Sequence, residues 1–382
     1  MQSLNPDISA LGDFLIDFSP RTPTFPEEGT RFSLREIELG IQGAVDPYFR
    51  ADIFLGLHGE GVSVEEGYLT ALVLPGGLQA RLGRFLLPMG KANLTHRPEL
   101  LTIEYPLAIR TYFSDEGYRG TGASASRIFS AFGVFQELQL FLLNGIEGEG
   151  HAHDDDSGHD HGPAEDLVLG GPDRRGLEQL GSLAHLRTFL DLGSASNVEV
   201  GASFGIGAVE RYVEPASDAA PVRGERPDAF RSYRTQRLWG TNVIYRWRPP
   251  ERGLYRSFRL EGEGFVHDGP EAPAFGGFAQ TQWQLGRRTY LASRFDAVQR
   301  PGSQHVEAHG QGTGRHVHFD TDPGGEWMQA ASAYWTFFPS EFSRLRLGVE
   351  RTFGDGWGDE GGVWRAALQT TFSLGPHRPH PF

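Results

Sequence analysis

Apolar and polar residues alternate with a period of two along most of the chain, and the helical period of 3.6 is scarce. From Tyr48 to His58, Phe49, Ala51, Ile53, Leu55 and Leu57 fall on one face, and Tyr48, Arg50, Asp52, Gly56 and His58 on the other. From Ser343 to Phe353, Leu345, Leu347 and Val349 oppose Arg344, Arg346, Gly348 and Glu350. From Val363 to Leu374, Trp364, Ala366, Leu368, Phe372 and Leu374 oppose Arg365, Gln369, Thr371 and Ser373.

This pattern predicts strands near 7–18, 32–44, 47–58, 62–75, 78–88, 117–126, 133–146, 181–192, 197–208, 236–248, 256–267, 275–286, 288–298, 326–338, 341–353 and 363–374. In 181–192, Leu183, Leu186, Phe189 and Leu190 fit a short helix equally well. Most of these segments exceed the ~9–11 residues that a tilted strand needs to cross a bilayer. Soluble strands average about five or six. An even number of strands, about sixteen, is what a single-chain bacterial barrel requires.

The connections sort by parity. Val45-Asp46, Gly76-Gly77, Pro339-Ser340 and 193–196 are short, whereas 19–31, 89–116, 147–180, 209–235 and 299–325 are long; 59–61 and 268–274 are short members of the long set. Short turns at one rim and long loops at the other are characteristic of outer-membrane barrels, with the long loops outside the cell. The expectation is an all-β transmembrane antiparallel β-barrel filling 1–382 as one domain. Residues 89–116 would form an inward-folding constriction loop, 147–180 and 299–325 two extracellular loops, and 375–382 a C-terminal tail.

Composition agrees. Mean hydropathy is −0.38, and no run of about 18 apolar residues could form a membrane helix. A barrel, whose strands alternate lipid-facing and lumen-facing side chains, averages to just such a score. With 51 Gly, 27 Phe, 11 Tyr and 7 Trp, the chain has the glycine and aromatic bias of such barrels. The absence of Cys excludes disulfides, and a net charge of −14 argues against nucleic-acid partners. The chain opens without a basic and apolar leader, so a removed signal peptide and bacterial outer-membrane location are expected.

Gly83-Arg84-Phe85-Leu86-Leu87-Pro88-Met89-Gly90 resembles the strand-to-loop motif of phosphate-selective-porin-type barrels, where a long loop follows and folds into the lumen. Leu4-Asn5-Pro6-Asp7-Ile8-Ser9, the stretch Ser33 to Asp52, and Val64-Glu65-Glu66-Gly67-Tyr68 resemble a branch often labelled zinc-regulated outer-membrane receptors. The resemblance is specific over residues 4–126 and architectural afterwards. A receptor in the strict sense needs a plug domain before its barrel, and the first strand begins here almost at once. Outer-membrane barrels commonly end on an aromatic residue; here Phe372 and Phe382 are the candidates.

Two histidine clusters stand out. His151, His153, Asp154, Asp155, Asp156, His159 and His161 lie in one long loop; His305, His309, His316 and His318 lie in another on the same rim. Neutral imidazole and carboxylate suit Zn2+, and they would bind other divalent transition metals too. A solvated low-complexity loop with loose metal affinity is the plain alternative.

Inward charges are Glu36, Glu38, Arg50, Asp52, Arg81, Glu137, Arg259, Glu261, Glu263, Arg294, Asp296, Arg344, Arg346, Glu350 and Arg365. They fit a polar lumen with cross-strand pairs, or an arginine track selecting anions as the resemblance implies. Lys91, His96, Arg97, Glu99, Glu104, Arg110, Asp115 and Glu116 are constriction candidates on the inward loop. Trp239, Tyr245, Trp247, Trp327 and Trp335 read as interfacial girdle residues.

No catalytic constellation is visible on neighbouring strands. The leading expectation is therefore a passive channel for small hydrophilic solutes or ions, in contact with outer-membrane lipid and possible as a homotrimer. Its His-rich loops would link it to acquisition of zinc or another divalent metal. A closed metal-binding barrel without transport, and a general or anion-selective porin with incidental histidines, are the alternatives.

Overall fold

A computed structural model describes residues 6–20, 30–58, 61–146, 169–170, 176–214, 229–269, 272–309, 316–360 and 362–375. In chain order the strands are β1 (Asp7–Asp17), β2 (Phe32–Ala44), β3 (Phe49–His58), β4 (Gly61–Leu74), β5 (Leu78–Leu86), β6 (Arg119–Ala131) and β7 (Val134–Leu143). The short β8 (Leu169–Gly170) precedes β9 (Gly181–Asp191), β10 (Ser196–Val213), β11 (Ala229–Trp247), β12 (Phe258–Asp268), β13 (Pro273–Gln284) and β14 (Thr289–Gln299). Then come β15 (Ser303–His309), β16 (His316–Asp322), β17 (Trp327–Ser340), β18 (Ser343–Phe353) and β19 (Trp364–Leu374).

Each long strand pairs antiparallel with its neighbours, and β1 pairs with both β2 and β19. The sheet thus closes into a barrel of sixteen strands, with β8 set beside β11 and β15–β16 forming a separate hairpin. Closure removes every sheet edge, as backbone groups in lipid require.

The faces are inverted relative to a soluble sheet. On β18, Leu347 and Val349 are exposed to the outside, while Arg344, Arg346 and Glu350 are buried within. On β7, Leu138, Leu140 and Leu142 face out and Glu137 faces in. Exposed apolar residues encircling a polar interior identify a transmembrane barrel. Aromatic residues gather at both ends of its exterior: Phe258, Trp283, Trp335 and Phe337 at the short-turn end, and Phe295, Phe353, Trp327 and Trp364 toward the other. Phe372 stacks on Phe14 across the β1–β19 seam, with ring centroids 6.0 Å apart. Phe382 lies outside the described residues.

The parity of the connections holds, with shifted boundaries. Turns at 45–48, 75–77, 132–133, 192–195, 285–288 and 341–342 lie at one rim, together with a longer segment at 248–257. Residues 339–340 belong to β17 rather than to a turn, and 181–192 is strand, not helix. Strands β10 and β11 continue well beyond the expected 208 and 236, because their ladder runs unbroken from Ser196↔Trp247 to Val213↔Phe230. The segment 299–325 is not a plain loop either, since it contains the β15–β16 hairpin.

Candidate functional site

Between β5 and β6 the chain leaves the wall at Leu87 and returns at Tyr118, and this loop lies inside the barrel. It contains two short 3-10 turns, Ala92–Leu94 and Arg97–Glu99, and one helix, α1 (Leu107–Tyr112). Its neck is braced by Asn93. The Asn93 amide donates to the Leu87 carbonyl at 2.7 Å and the Tyr118 carbonyl at 2.8 Å, and its oxygen accepts from Tyr118 N at 2.7 Å.

An apolar core then docks the loop on the wall. Met89, Tyr105, Ile109, Phe113 and Tyr118 are buried among Phe85, Phe141, Leu238, Phe265 and Val298. The Phe113 and Tyr118 rings stack at 4.2 Å. Burying such side chains is worth about 1.5–3 kcal/mol each.

An irregular loop inside a barrel carries carbonyls and amides without ladder partners, and these must be satisfied. The wall supplies them from both sides. Glu263 on β12 accepts from Lys91 N and Ala92 N at 2.7 and 2.9 Å. Asp296 on β14 accepts from Leu107 N at 2.9 Å. Arg294 donates to Thr102 Oγ1 at 2.6 Å and the Glu104 carbonyl at 2.9 Å, while Asp296 pairs with it at 2.7 Å. On β18, Arg344 donates to the Pro98 and Leu100 carbonyls, and Arg346 to those of Leu100 and Thr102. On β2, across the barrel from β12, Arg35 holds Glu104 at 2.8 Å and the Ile103 carbonyl at 3.3 Å. The loop therefore bridges facing walls of the barrel.

These contacts place the constriction candidates. His96 meets Glu38 at 2.7 Å and Glu66 at 3.7 Å, and Arg97 meets Glu36 at 3.6 Å. Lys91 Nζ lies 3.9 Å from Glu199, Glu104 is held by Arg35, and Arg110 pairs with Asp115 at 2.8 Å. Glu99 is half-buried in the second 3-10 turn. Most of these charges fasten the loop rather than stand free along a passage.

The remaining lumen charges are also paired. Arg259 binds Glu261 at 2.6 Å, Arg246 binds Glu199 at 2.7 Å, Arg365 binds Glu350 at 3.2 Å, and Arg187 binds Glu137. Arg81 lies over the rings of Tyr68 and Phe85, 5.4 Å from each centroid. Arg50, toward the short-turn rim, pairs with Asp52 at 3.0 Å, yet its side chain is 46% exposed.

One serine–histidine pair lies under the neck of the loop, with His185 Nδ1 2.8 Å from Ser203 Oγ. The Ser203 hydroxyl donates to the Pro88 carbonyl, so Nδ1 must be the donor in this pair. The pair fastens the loop and cannot serve as nucleophile and base.

Burial of His96 works against its imidazolium form, but Glu38, by charge and hydrogen bond, and then Glu66 overcome this and hold its pKa well above the ordinary histidine value. The docked loop binds this proton more tightly than a free chain does. The resulting stabilisation is complete below about pH 6.5 and fades as pH climbs through the raised value. Alkaline titration is therefore expected to increase protease cleavage within 90–116. His96→Gln should flatten this pH dependence; an equal dependence in the variant would exclude His96 as its origin.

His151, His153, Asp154, Asp155, Asp156, His159 and His161 lie outside the described residues. The second cluster falls on the β15–β16 hairpin, where His309 opposes His316, Glu307 opposes His318 and His305 opposes Asp320. Directly opposed and alternate residues share a face of a ladder. One face therefore carries four histidines, Glu307 and Asp320; the other carries Val306, Ala308, Val317 and Phe319. Sequence spacing alone missed Glu307 and Asp320, although a two-residue alternation through 303–309 and 316–322 would have found them. The hairpin is tied to β10 by Gln304, which exchanges hydrogen bonds with the Tyr212 backbone at 3.0 and 3.3 Å.

Sixteen closed strands, an apolar exterior, a charged lumen and a long loop folded inside define an outer-membrane barrel of the porin type. No family model matches the chain. Among solved structures, OprB of Pseudomonas putida is similar over 97% of this chain and 94% of its own, at 10% identity and a TM-score of 0.55. The outer-membrane channel DcaP of Acinetobacter baumannii is similar over 98% and 99%, at 11% identity and 0.54. In-vitro folded OmpT of Vibrio cholerae, in trimer form, is similar over 97% and 99%, at 8% identity and 0.52. At these identities the likeness is one of fold. In sequence, an uncharacterized protein of Aquifex aeolicus (strain VF5) is 26% identical over 376 residues, covering 92% of this chain and 70% of that protein.

Proposed function

We propose that this protein is a porin-like channel for passive diffusion of small hydrophilic solutes or ions across the outer membrane, narrowed by the loop between Leu87 and Tyr118. The observation that carries this reading is the attachment of that loop to facing walls, which sets a constriction inside a water-compatible barrel. The pairing of most lumen arginines with carboxylates favours weak charge selection over an anion-selecting arginine track. Planar-bilayer recording tests the reading: discrete, steady current steps are expected, and their absence would favour a closed barrel.

The finer reading links the channel to acquisition of Zn2+ or a similar divalent cation by its outer rim. The shared face of His305, Glu307, His309, His316, His318 and Asp320 supports it, as does the His/Asp-rich composition of 151–161. Removing 150–162 should lower Zn2+ stoichiometry, and micromolar Zn2+ should alter current through the full chain. Unchanged stoichiometry would exclude that segment as a site. Binding to the histidines should weaken below about pH 6.5, where imidazole is protonated. A homotrimer, the form of one in-vitro folded OmpT structure of Vibrio cholerae, is the proposed assembly. Its size in detergent checks it.

A further inference from the structure

A further cluster of metal-type ligands lies on β2, β3 and β4. His58 ends β3, and its Nδ1 faces the Arg35 carbonyl at 3.3 Å. A carbonyl only accepts, so Nδ1 carries the hydrogen and Nε2 presents a lone pair. That lone pair faces Ser63 Oγ at 3.1 Å and Oε1 of Glu65 and of Glu116, each at 3.7 Å. The Ser63 hydroxyl is itself given to Glu65 Oε1, at 3.0 Å. Glu36 brings a carboxylate oxygen within 4.8 Å of both the His58 and Glu65 ligand atoms. Acceptors thus converge on one place, which calls for a positive centre.

The carboxylates are held for that purpose. Arg119 takes the other oxygen, Oε2, of Glu65 and of Glu116, the latter at 3.1 Å, leaving each Oε1 turned toward His58. Ligands about 2.0–2.1 Å from a tetrahedral Zn2+ lie about 3.3–3.4 Å from one another; the Glu65 and Glu116 oxygens stand 3.7 Å from His58 Nε2 and Glu36 lies within 4.8 Å of His58 and Glu65, so the groups would draw in around an ion. Residue 56 is glycine, and a Cβ there would stand 2.8 Å from Glu65 Oε1, 2.8 Å from His58 Nε2 and 2.9 Å from Ser63 Oγ. Any side chain at 56 would therefore enter the space between the ligands. The His58 and Glu116 side chains are 26% and 38% exposed, so a cation can arrive from solvent.

We propose that Glu36, His58, Glu65 and Glu116 form a binding site for one divalent transition-metal cation of the Zn2+ type. One imidazole among carboxylates suits such a cation better than Ca2+ or Mg2+, which prefer oxygen ligands alone. The site joins strands β2, β3 and β4 to the end of the inward loop, so its occupant would fasten Glu116 to the wall. It does not depend on the channel reading: a barrel that passes no current would bind the ion equally.

The test is titration of the full-length folded barrel in detergent with Zn2+ against a chromophoric chelator. His58→Ala and Gly56→Ala are each expected to remove one equivalent, and Glu116→Gln to weaken that equivalent at least tenfold. Removing 150–162 should leave it in place. A heat-modifiable band on gels shows that each variant is folded. Should the alanine variants fail to fold, X-ray absorption of a chain lacking 150–162, with His305, His309, His316 and His318 each replaced by alanine and bearing one Zn2+, decides. A shell of one imidazole nitrogen and carboxylate oxygens supports the site. Several imidazoles, or stoichiometry unchanged in all three variants, would overturn it. So would His58 ring resonances that do not change on adding Zn2+.

Discussion

Replacing Arg346 with alanine is expected to release the inward loop and raise single-channel conductance severalfold. This arginine is fully buried and has four partners: the Leu100 carbonyl at 2.7 Å, the Thr102 carbonyl, Gln369 Oε1 at 3.0 Å and Thr336 Oγ1 at 3.2 Å. Bonds from a charged donor are worth about 1.5–3 kcal/mol each, and removing the donor leaves loop carbonyls buried without partners. The docking of the loop should weaken by roughly 3–5 kcal/mol. Lysine should rescue poorly, because only the planar guanidinium fork reaches two carbonyls at once. Arg344→Ala should act in the same direction but not additively, since both arginines serve Leu100. Arg50→Ala is the control, with a small expected effect. Bilayer recording and limited proteolysis of 90–116 measure the outcome; an unchanged pattern for Arg346→Ala would mean that these bonds do not hold the loop.

Gly83→Val is expected to abolish barrel formation. Gly83 adopts φ +139°, and a Cβ there would lie 2.1 Å from the Gly67 carbonyl oxygen and 2.7 Å from Tyr68 Cα. Both are backbone atoms of the paired β4, so no rotamer change relieves the overlap. Valine would force β4 and β5 apart at the Tyr68↔Gly83 pair, at the root of the inward loop. Gly61→Val is the comparison, since nothing lies within 4 Å of a Cβ at that position. Heat-modifiable mobility should vanish for the first variant and persist for the second. A folded Gly83→Val barrel would show that the close approach is dispensable.

The barrel is legible in sequence because period-two alternation and loop parity are local signals, and each membrane strand repeats them. Leu345, Leu347 and Val349 against Arg344, Arg346 and Glu350 already separate lipid from lumen. Partners are a different matter. Arg344 and Arg346 read as inward from spacing, but their role as clamps depends on residues some 246 positions away. The inward loop shows the same limit: its charges are visible as candidates, while the carboxylates that receive His96 and Arg97 are set by barrel closure. His58 reads as inward-facing at a strand end, and only the return of the loop brings Glu116 beside it. Hairpin β15–β16 escaped because Gly and Gln around it mask a short alternation.

The fastening of the loop also orders events in time. Residues 98–102 are synthesised early, whereas the guanidinium groups that grip them sit on the penultimate strand. Contacts so distant along the chain form late, after the intervening wall has closed. A barrel stalled before β18 would have its early strands in place and a loop held from β2, β12 and β14 but without the Arg344 and Arg346 clamps. Such an intermediate should leak more than the finished protein, so rapid completion of the last strands protects the cell as well as the fold.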